Sequence, residues 1–316
     1  MEISKILPLA VAIPTMNRPQ TLQRTLESYC AADFLPKQIV VVDQSQTTEM
    51  QEKNKQLLER VSIKIPQVSY IYQKEPSSTQ ARNRATLAAT QDIIVYSDDD
   101  VDVYKDTLKN VYDLFQNSKI AMVAGLNDCS QKTTSKIGYL LGTKSFGKRK
   151  IGHVTASMLG RFPEGDIRGE IPTQWAMGFF FAVRTPLLKK WKIQWDENLT
   201  SYAYAEDLDF SYNYYKCAVK EQLNCVLSDK VHVKHLGSKE YRIPSQKTTY
   251  MYVCHRYYLA FKHGKGWKAN LAMLWCNFWM FIFRIVKRQQ PKDMLKAMVY
   301  CYKNRAKIKK GDLSFQ

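Results

Sequence analysis

Cysteine pairing is the first thing this sequence lacks. Its seven cysteines (Cys30, Cys129, Cys217, Cys225, Cys254, Cys276, Cys301) are odd in number and include no Cys-x-x-Cys pair, which argues against a disulfide scaffold and a zinc ribbon. They read as reduced, small core hydrophobes of a cytoplasmic protein. The N-terminus, MEISKILPLAVAIP, has no basic stretch followed by a cleavage site, so no secretory leader is expected. Glycine and proline are sparse, 13 and 11 of 316 residues, and no internal repeat is visible, so collagen-like and low-complexity readings fall away. With 45% hydrophobic residues the chain can fill the core of one large α/β domain or two modest ones.

Acidic residues are scarce at one end only. The formal charge is +18, but Asp229 to Gln316 holds 19 Lys and Arg against Asp229, Glu240, Asp293 and Asp312, a net of +15 that leaves +3 for residues 1–228. A basic tail on a balanced body does not point to nucleic acid as partner.

Over the first hundred residues, short β-branched runs alternate with helical segments, the pattern of a parallel sheet with crossover helices. Strands are predicted at residues 9–13, 38–42, 68–72 and 93–97, with helices from Pro19 to Tyr29, at 48–60 and at 79–89. Beyond Asp102 the pattern predicts a helix near 105–117, a strand near 120–124, a polar loop or lid at 130–150, an apolar run at 178–183, a helix at 206–218 and a strand at 224–231. Long helical runs follow at 248–262, 267–288 and 293–310, punctuated by Gly264, Gly266 and Pro291. A boundary is expected between Gly237 and Gln246.

The run Ile93-Ile94-Val95-Tyr96-Ser97-Asp98-Asp99-Asp100-Val101-Asp102 is a buried-type strand that empties into consecutive carboxylates. Ligands of open α/β sheets bind at such strand ends. Adjacent carboxylates repel unless a cation neutralises them, and Mg²⁺ or Mn²⁺ takes oxygen ligands of this kind. A solvated acidic turn or a helix cap is the alternative. Other predicted strand ends are polar too: Pro14-Thr15-Met16-Asn17-Arg18 follows the first and Asp43-Gln44-Ser45 the second, while the third helix carries Ala81-Arg82-Asn83-Arg84. Singly, Asn17 reads equally as a cap, Asp43 as a turn residue and Arg82 as a surface cation.

Taken in order, these segments resemble the family two glycosyltransferases, nucleotide-sugar-dependent enzymes of the GT-A fold. The likeness continues through Trp175-Ala176-Met177-Gly178-Phe179-Phe180-Phe181-Ala182-Val183-Arg184, through Ala205-Glu206-Asp207-Leu208-Asp209, which is similar to the family's acidic catalytic motif, and through His232-Val233-Lys234-His235-Leu236-Gly237-Ser238. It covers roughly residues 8–240. It implies an α/β, Rossmann-like mixed sheet flanked by helices, with a nucleotide-sugar-binding half at 1–103, an acceptor-binding half at 104–240 and a C-terminal helical extension at 241–316.

Carried over by position, the resemblance implies that Pro14, Thr15, Asn17 and Arg18 line the nucleotide pocket and that Asp43 bonds the base. Arg82 approaches the ribose or diphosphate, beside Asp98 and Asp99. Asp98 and Asp100 match the Asp-x-Asp pair that holds a divalent cation, with His235 reaching it from the other side. Asp207 matches the general base, with Glu206 as its acidic neighbour. The chemistry calls for such groups: a departing nucleoside diphosphate builds negative charge that a cation and an arginine offset, and the acceptor hydroxyl must lose its proton to a carboxylate. Helix-dipole complementation is the alternative for Glu206 and Asp207, and a packed polar role the alternative for His235.

The Gln-x-x-Arg-Trp motif of processive members is missing, and the nearest basic-aromatic segment is His255-Arg256-Tyr257-Tyr258, so single-sugar transfer is expected, onto a saccharide or lipid-linked saccharide acceptor, with inversion implied by the family. Residues 269–286 are apolar at 15 of 18 positions, broken only by Asn270, Asn277 and Arg284 at seven-residue spacing. Flanked by Lys265, Lys268, Lys287, Arg288, Lys292 and Lys296, this segment suits a helix in the interface of an anionic leaflet, with the 265–310 region peripheral on the inner face of the plasma membrane. A core helix and a membrane span are its alternatives. Two other functions remain open: a nucleotidyltransferase, which gives Glu206 and Asp207 no task, and an inactive nucleotide- or glycan-binding module of the same fold.

Overall fold

The computed structural model describes residues 5–129, 151–161, 167–199, 204–237 and 245–314. The expected lid at 130–150 and Ser238 lie outside them.

The strands that carry unbroken apolar runs occupy the middle of one mixed sheet, where both faces are covered and alternation has no purpose. β1 (Lys5–Thr15), β2 (Phe34–Asp43), β3 (Gln67–Tyr72) and β4 (Ile93–Ser97) are parallel, and Leu9 through Ile13 are fully buried. α1 (Pro19–Cys30), α2 (Thr48–Val61) and α3 (Ser78–Ala88) supply the crossovers. α1 opens on Pro19, whose missing N–H costs nothing in a first turn, and buries Leu22, Leu26 and Tyr29 on one stripe.

β5 (Val101–Val103), α4 (Thr107–Phe115), β6 (Ile120–Asn127), β7 (Glu170–Pro172), β8 (Phe180–Arg184), α5 (Thr185–Trp191), α6 (Glu206–Lys220) and β9 (Asn224–His235) follow. The spatial order is β3-β2-β1-β4-β8-β6-β9-β5, with β7 also on β9. β8 enters antiparallel between β4 and β6, while β6 and β9 are parallel. β5, β7 and α5 are too short for sequence periodicity to single out. β9 runs four residues past its expected end because its last residues pair with β5, His235 opposite Val101.

The C-terminal run folds as α7 (Ser245–Lys262), α8 (Gly266–Val286), α9 (Pro291–Lys303) and α10 (Arg305–Lys309). The single helix expected over 293–310 is corrected: it breaks at Asn304, whose backbone leaves helical geometry at φ −101° and ψ 14° while its N–H and side-chain amide both donate to Tyr300 O. These helices share an apolar core with the body, where Val253, Leu259, Met273 and Met294 meet Trp175, Leu199 and Leu208.

A buried ion cluster locks α7 to α6. Asp209, 1% exposed, accepts from Lys262 Nζ at 2.7 Å and from His263 Nε2 at 2.8 Å. Lys262 also donates to Asp196 at 2.6 Å, and Tyr258 OH reaches the same Asp196 oxygen at 2.7 Å. Removing one member of such a set strands the other charges away from water. Asp209→Ala is therefore expected to cost about 3 kcal/mol in urea unfolding; a loss no larger than that of a surface substitution contradicts this account.

Candidate active site

The chain turns as it leaves β4, and the three acids that follow take different partners: Asp98 and Asp100 approach His235, whereas Asp99 turns to Thr15 and Arg18. Asp98 N donates to Phe179 O at 2.9 Å, and Asp98 Oδ1 accepts from Arg82 Nη2 at 2.9 Å. Asp99 is fully buried: Oδ2 accepts from Thr15 Oγ1 at 2.6 Å, Oδ1 sits 2.7 Å from Arg18 Nη2, and its carbonyl accepts from Thr25 Oγ1 at 2.7 Å. Asp99 thus ties the acid turn to the end of β1 and to α1.

His235 arrives from the last position of β9, opposite Val101. Its ring stacks on Phe179 at 5.1 Å and 12°, and its Nε2 lies 3.1 Å from Asp100 Oδ1 and 4.0 Å from Asp98 Oδ2. Ligand atoms of Asp98, Asp100 and His235 all fall within 4.8 Å of one another, a spacing that one divalent cation can span. Burial raises the Asp98 carboxyl above its ordinary range and Asp100 adds to this, with Arg82 and His235 opposing. Two partly desolvated carboxylates that raise each other's cost fit a resident cation well. His232, by contrast, is engaged elsewhere, with Asp128 at 2.6 Å and Asp229 O at 2.7 Å.

Arg82 joins this group to the second pair of acids. It is 4% exposed, donates through Nη1 to Glu206 Oε1 at 2.9 Å and through Nη2 to Asp98, and rests over Trp195 at 4.7 Å. Burial alone lowers a guanidinium pKa, but Asp98 and Glu206 outweigh it and raise this one. Asp207 sits in the first turn of α6. Its Oδ2 accepts from Gly178 N at 2.8 Å and its Oδ1 from Leu208 N at 2.7 Å. A Cβ at Gly178 would stand 3.2 Å from Asp207 Cβ and 3.3 Å from Arg82 Nη2, so only glycine fits there without displacement.

The remaining residues brace the sheet edge. Asn17, at φ 57°, does not cap α1: its N–H donates to Ser45 Oγ at 3.0 Å and its Oδ1 accepts from Gln46 N at 2.8 Å, stitching the end of β1 to that of β2. Pro14 is half-buried just before Thr15. Asp43 is buried and accepts from Ser45 N at 2.8 Å, Asn54 Nδ2 at 2.9 Å and Tyr70 OH at 2.9 Å.

A sequence profile for glycosyl transferase family 2 matches residues 10–190, more than half of the chain. The protein belongs to glycosyltransferase family 2. Its fold is GT-A. A mannosyltransferase from Pyrobaculum calidifontis, solved with GDP-Man and Mn²⁺, superposes with a TM-score of 0.54 at 13% identity over 95% of this chain and 75% of that one. Residues 1–349 of S. aureus TarS with UDP-GlcNAc give 0.53 at 19% identity over 80% and 66%, and GalNAc-T7 with UDP, GalNAc and Mn²⁺ gives 0.54 at 16% over 79% and 51%. Comparison with curated protein sequences returns no relative.

Several supports of this glycosyltransferase cleft escape sequence reasoning. Trp195 under Arg82 stands 113 positions away and carries no motif. Ala205, at φ 67°, is a left-handed alanine directly before the acid pair, a conformation that costs about 1 kcal/mol and needs external support. His255 supplies it, donating from Nδ1 to Tyr204 O at 3.0 Å, and burial pushes this imidazole down to about 4, so it stays neutral. The positive φ of a non-glycine residue was invisible beforehand.

Burial pushes Glu206 up to about 7, with Arg82 opposing and Asp207 adding, and pushes Asp99 up to about 7 as well, with Arg18 and Thr15 opposing. An acid whose folded pKa exceeds its unfolded one holds more protons when folded, so stability falls as pH rises between the two. Without divalent ion, urea unfolding is expected to show stability declining from about pH 4.5 to 7, with a shallower slope in Glu206→Gln. A slope identical in wild type and variant removes Glu206 from this linkage.

Proposed function

We propose that this enzyme moves a single sugar from a nucleotide-diphosphate sugar to a saccharide or lipid-linked saccharide acceptor, with inversion at the anomeric carbon. The observation that most supports this is the buried Arg82, whose two nitrogens reach Asp98 on the cation side and Glu206 beside Asp207. Two groups with different chemical tasks thereby open on one cleft.

In this reading Asp98, Asp100 and His235 hold Mn²⁺ or Mg²⁺, and Pro14, Thr15, Asn17, Arg18, Asp43, Arg82, Asp98 and Asp99 form the nucleotide-sugar side. Two of the neighbouring structures contain Mn²⁺ together with a nucleotide or nucleotide sugar, which supports the assignment. When bound, the ion supplies positive charge against the departing diphosphate. Arg82 adds fixed positive charge beside it, already paid for by its ion pairs and needing no rearrangement. Asp207 accepts the proton of the acceptor hydroxyl as the new glycosidic bond forms. The Gly178 and Leu208 N–H groups orient its carboxylate, and desolvation makes it a stronger base than an exposed aspartate. Glu206 keeps the guanidinium in place.

Residues 1–240 form the catalytic unit in this reading. The extension at 241–316 attaches it, through the basic 265–310 region, to the anionic inner face of the plasma membrane.

A panel of nucleotide-diphosphate sugars, screened with Mn²⁺ for thermal stabilisation and for release of nucleoside diphosphate, tests the reading. One donor is expected to stabilise the protein and turn over; release of pyrophosphate would instead mark a nucleotidyltransferase. Asp207→Asn is expected to lose about 10²–10⁴-fold in transfer while keeping donor binding. Unchanged turnover in that variant removes Asp207 as the base.

A further inference from the structure

We infer that the outer face of α8, continued by the exposed side of α9, is a docking surface for an anionic lipid bilayer, with α8 lying flat in the interface and not crossing it. This deepens the membrane attachment proposed above and rests on it.

α8 is 21 residues long and, by length and composition alone, apolar enough to span a membrane. Its two faces decide otherwise. Trp267, Leu271, Leu274, Trp275 and Phe278 recur at positions 0, 4, 7, 8 and 11, an arc of about 100°. All five are exposed, Trp267 at 68% and Leu274 at 60%. On the opposite arc Ala269, Met273, Cys276 and Asn277 are buried against the protein. Two of the three stripe residues turn inward, Asn270 staying exposed: Asn277 Oδ1 accepts from the buried Arg256 Nη1 at 3.1 Å, and Arg284 Nη1 donates to Thr249 Oγ1 at 2.9 Å. A spanning α8 would have to leave α7, stripping Arg256, 0% exposed, of a hydrogen bond and carrying Arg284 into hydrocarbon. A helix packed on one side and apolar on the other immerses only its free side.

Charge selects the occupant. Residues 265–316 carry twelve Lys and Arg against Asp293 and Asp312, a net of +10, with Lys265 and Lys268 before the apolar arc and Lys287 and Arg288 after it. α9 adds Leu295, Val299 and a 70%-exposed Tyr302. A second copy would press one such basic face against another, whereas anionic headgroups meet the cations while the tryptophans and Phe278 enter the acyl boundary. The buried arc of α8 belongs to the apolar cluster that contains Leu208, the neighbour of Asp207, so the docking helix is fixed to the catalytic body.

The test uses the full chain with sonicated vesicles of phosphatidylcholine alone and of phosphatidylcholine mixed with phosphatidylglycerol. Binding to the mixed vesicles, weakened by salt, is expected for wild type, and at least about a tenfold loss for Trp275→Ser/Phe278→Ser. Because both side chains are about half exposed, the variant should unfold at the wild-type temperature and keep wild-type donor hydrolysis. Brominated acyl chains should quench Trp267 and Trp275 from the same depth, read as the emission lost in Trp267→Phe and Trp275→Phe; quenching at different depths means a spanning helix and overturns the proposal. Equal vesicle binding by the double variant overturns the apolar face while leaving electrostatic attachment intact. No binding by wild type overturns both, and a vesicle-independent dimer abolished by the double variant assigns the face to a second copy.

Discussion

A guanidinium removed from water and held by two carboxylates is the constraint around which this molecule is arranged. Arg82 is buried, so its charge persists only because Asp98 and Glu206 neutralise it and Trp195 covers its flat face. Those acids come from sequence positions 108 apart. Whatever else the fold does, it must bring the end of β4, the middle of α3 and the head of α6 to one point. The acids have the reciprocal need, since burial raises both carboxyls above their ordinary range and the guanidinium opposes it.

The sheet order meets this requirement through β8. Inserted antiparallel beside β4, with Phe180 opposite Ser97, it sets Gly178 and Phe179 directly against the acid turn. The Phe179 carbonyl then holds the Asp98 backbone and its ring stacks on His235, while Gly178 holds Asp207. Gly178 and Phe179, two consecutive residues leading into β8, therefore reach both the cation-side acid turn with His235 and the Asp207 carboxylate. This is why an apolar segment with no ionisable group matters as much here as the acids do.

Much of this was legible in the residue order, and what was not has identifiable physical causes. The parallel strands showed as apolar runs because they are covered on both faces, and the acid turn showed because a buried strand ended in it. That Asp99 departs from its neighbours was not legible, because the direction of its side chain is set by the turn and by Thr15 and Arg18. Asp209 was not legible. Its partners Lys262 and His263 lie more than fifty residues downstream, and nothing in the spacing connects them to it. The break at Asn304 was masked by good helix formers on both sides, and the left-handed Ala205 by the absence of glycine. Sequence periodicity placed Asn270, Asn277 and Arg284 on one stripe of α8 but could not say whether that stripe met water or α7.

The position of α7 bears on why the extension is joined so firmly to the body. Its His255 steadies the carbonyl of Tyr204 before a strained residue, its Lys262 clasps Asp209 two residues beyond Asp207, and its Arg256 grips both Ser157 O and α8. The acid-bearing end of α6 is thus fastened from behind by a helix that also carries the basic, apolar-faced segment. An enzyme whose extension served only as a tether would need a flexible linker. Here polar contacts from His255 and Lys262 of α7 reach Tyr204 and Asp209, on either side of Asp207, so the position of that carboxylate and the seating of the extension are settled by the same packing.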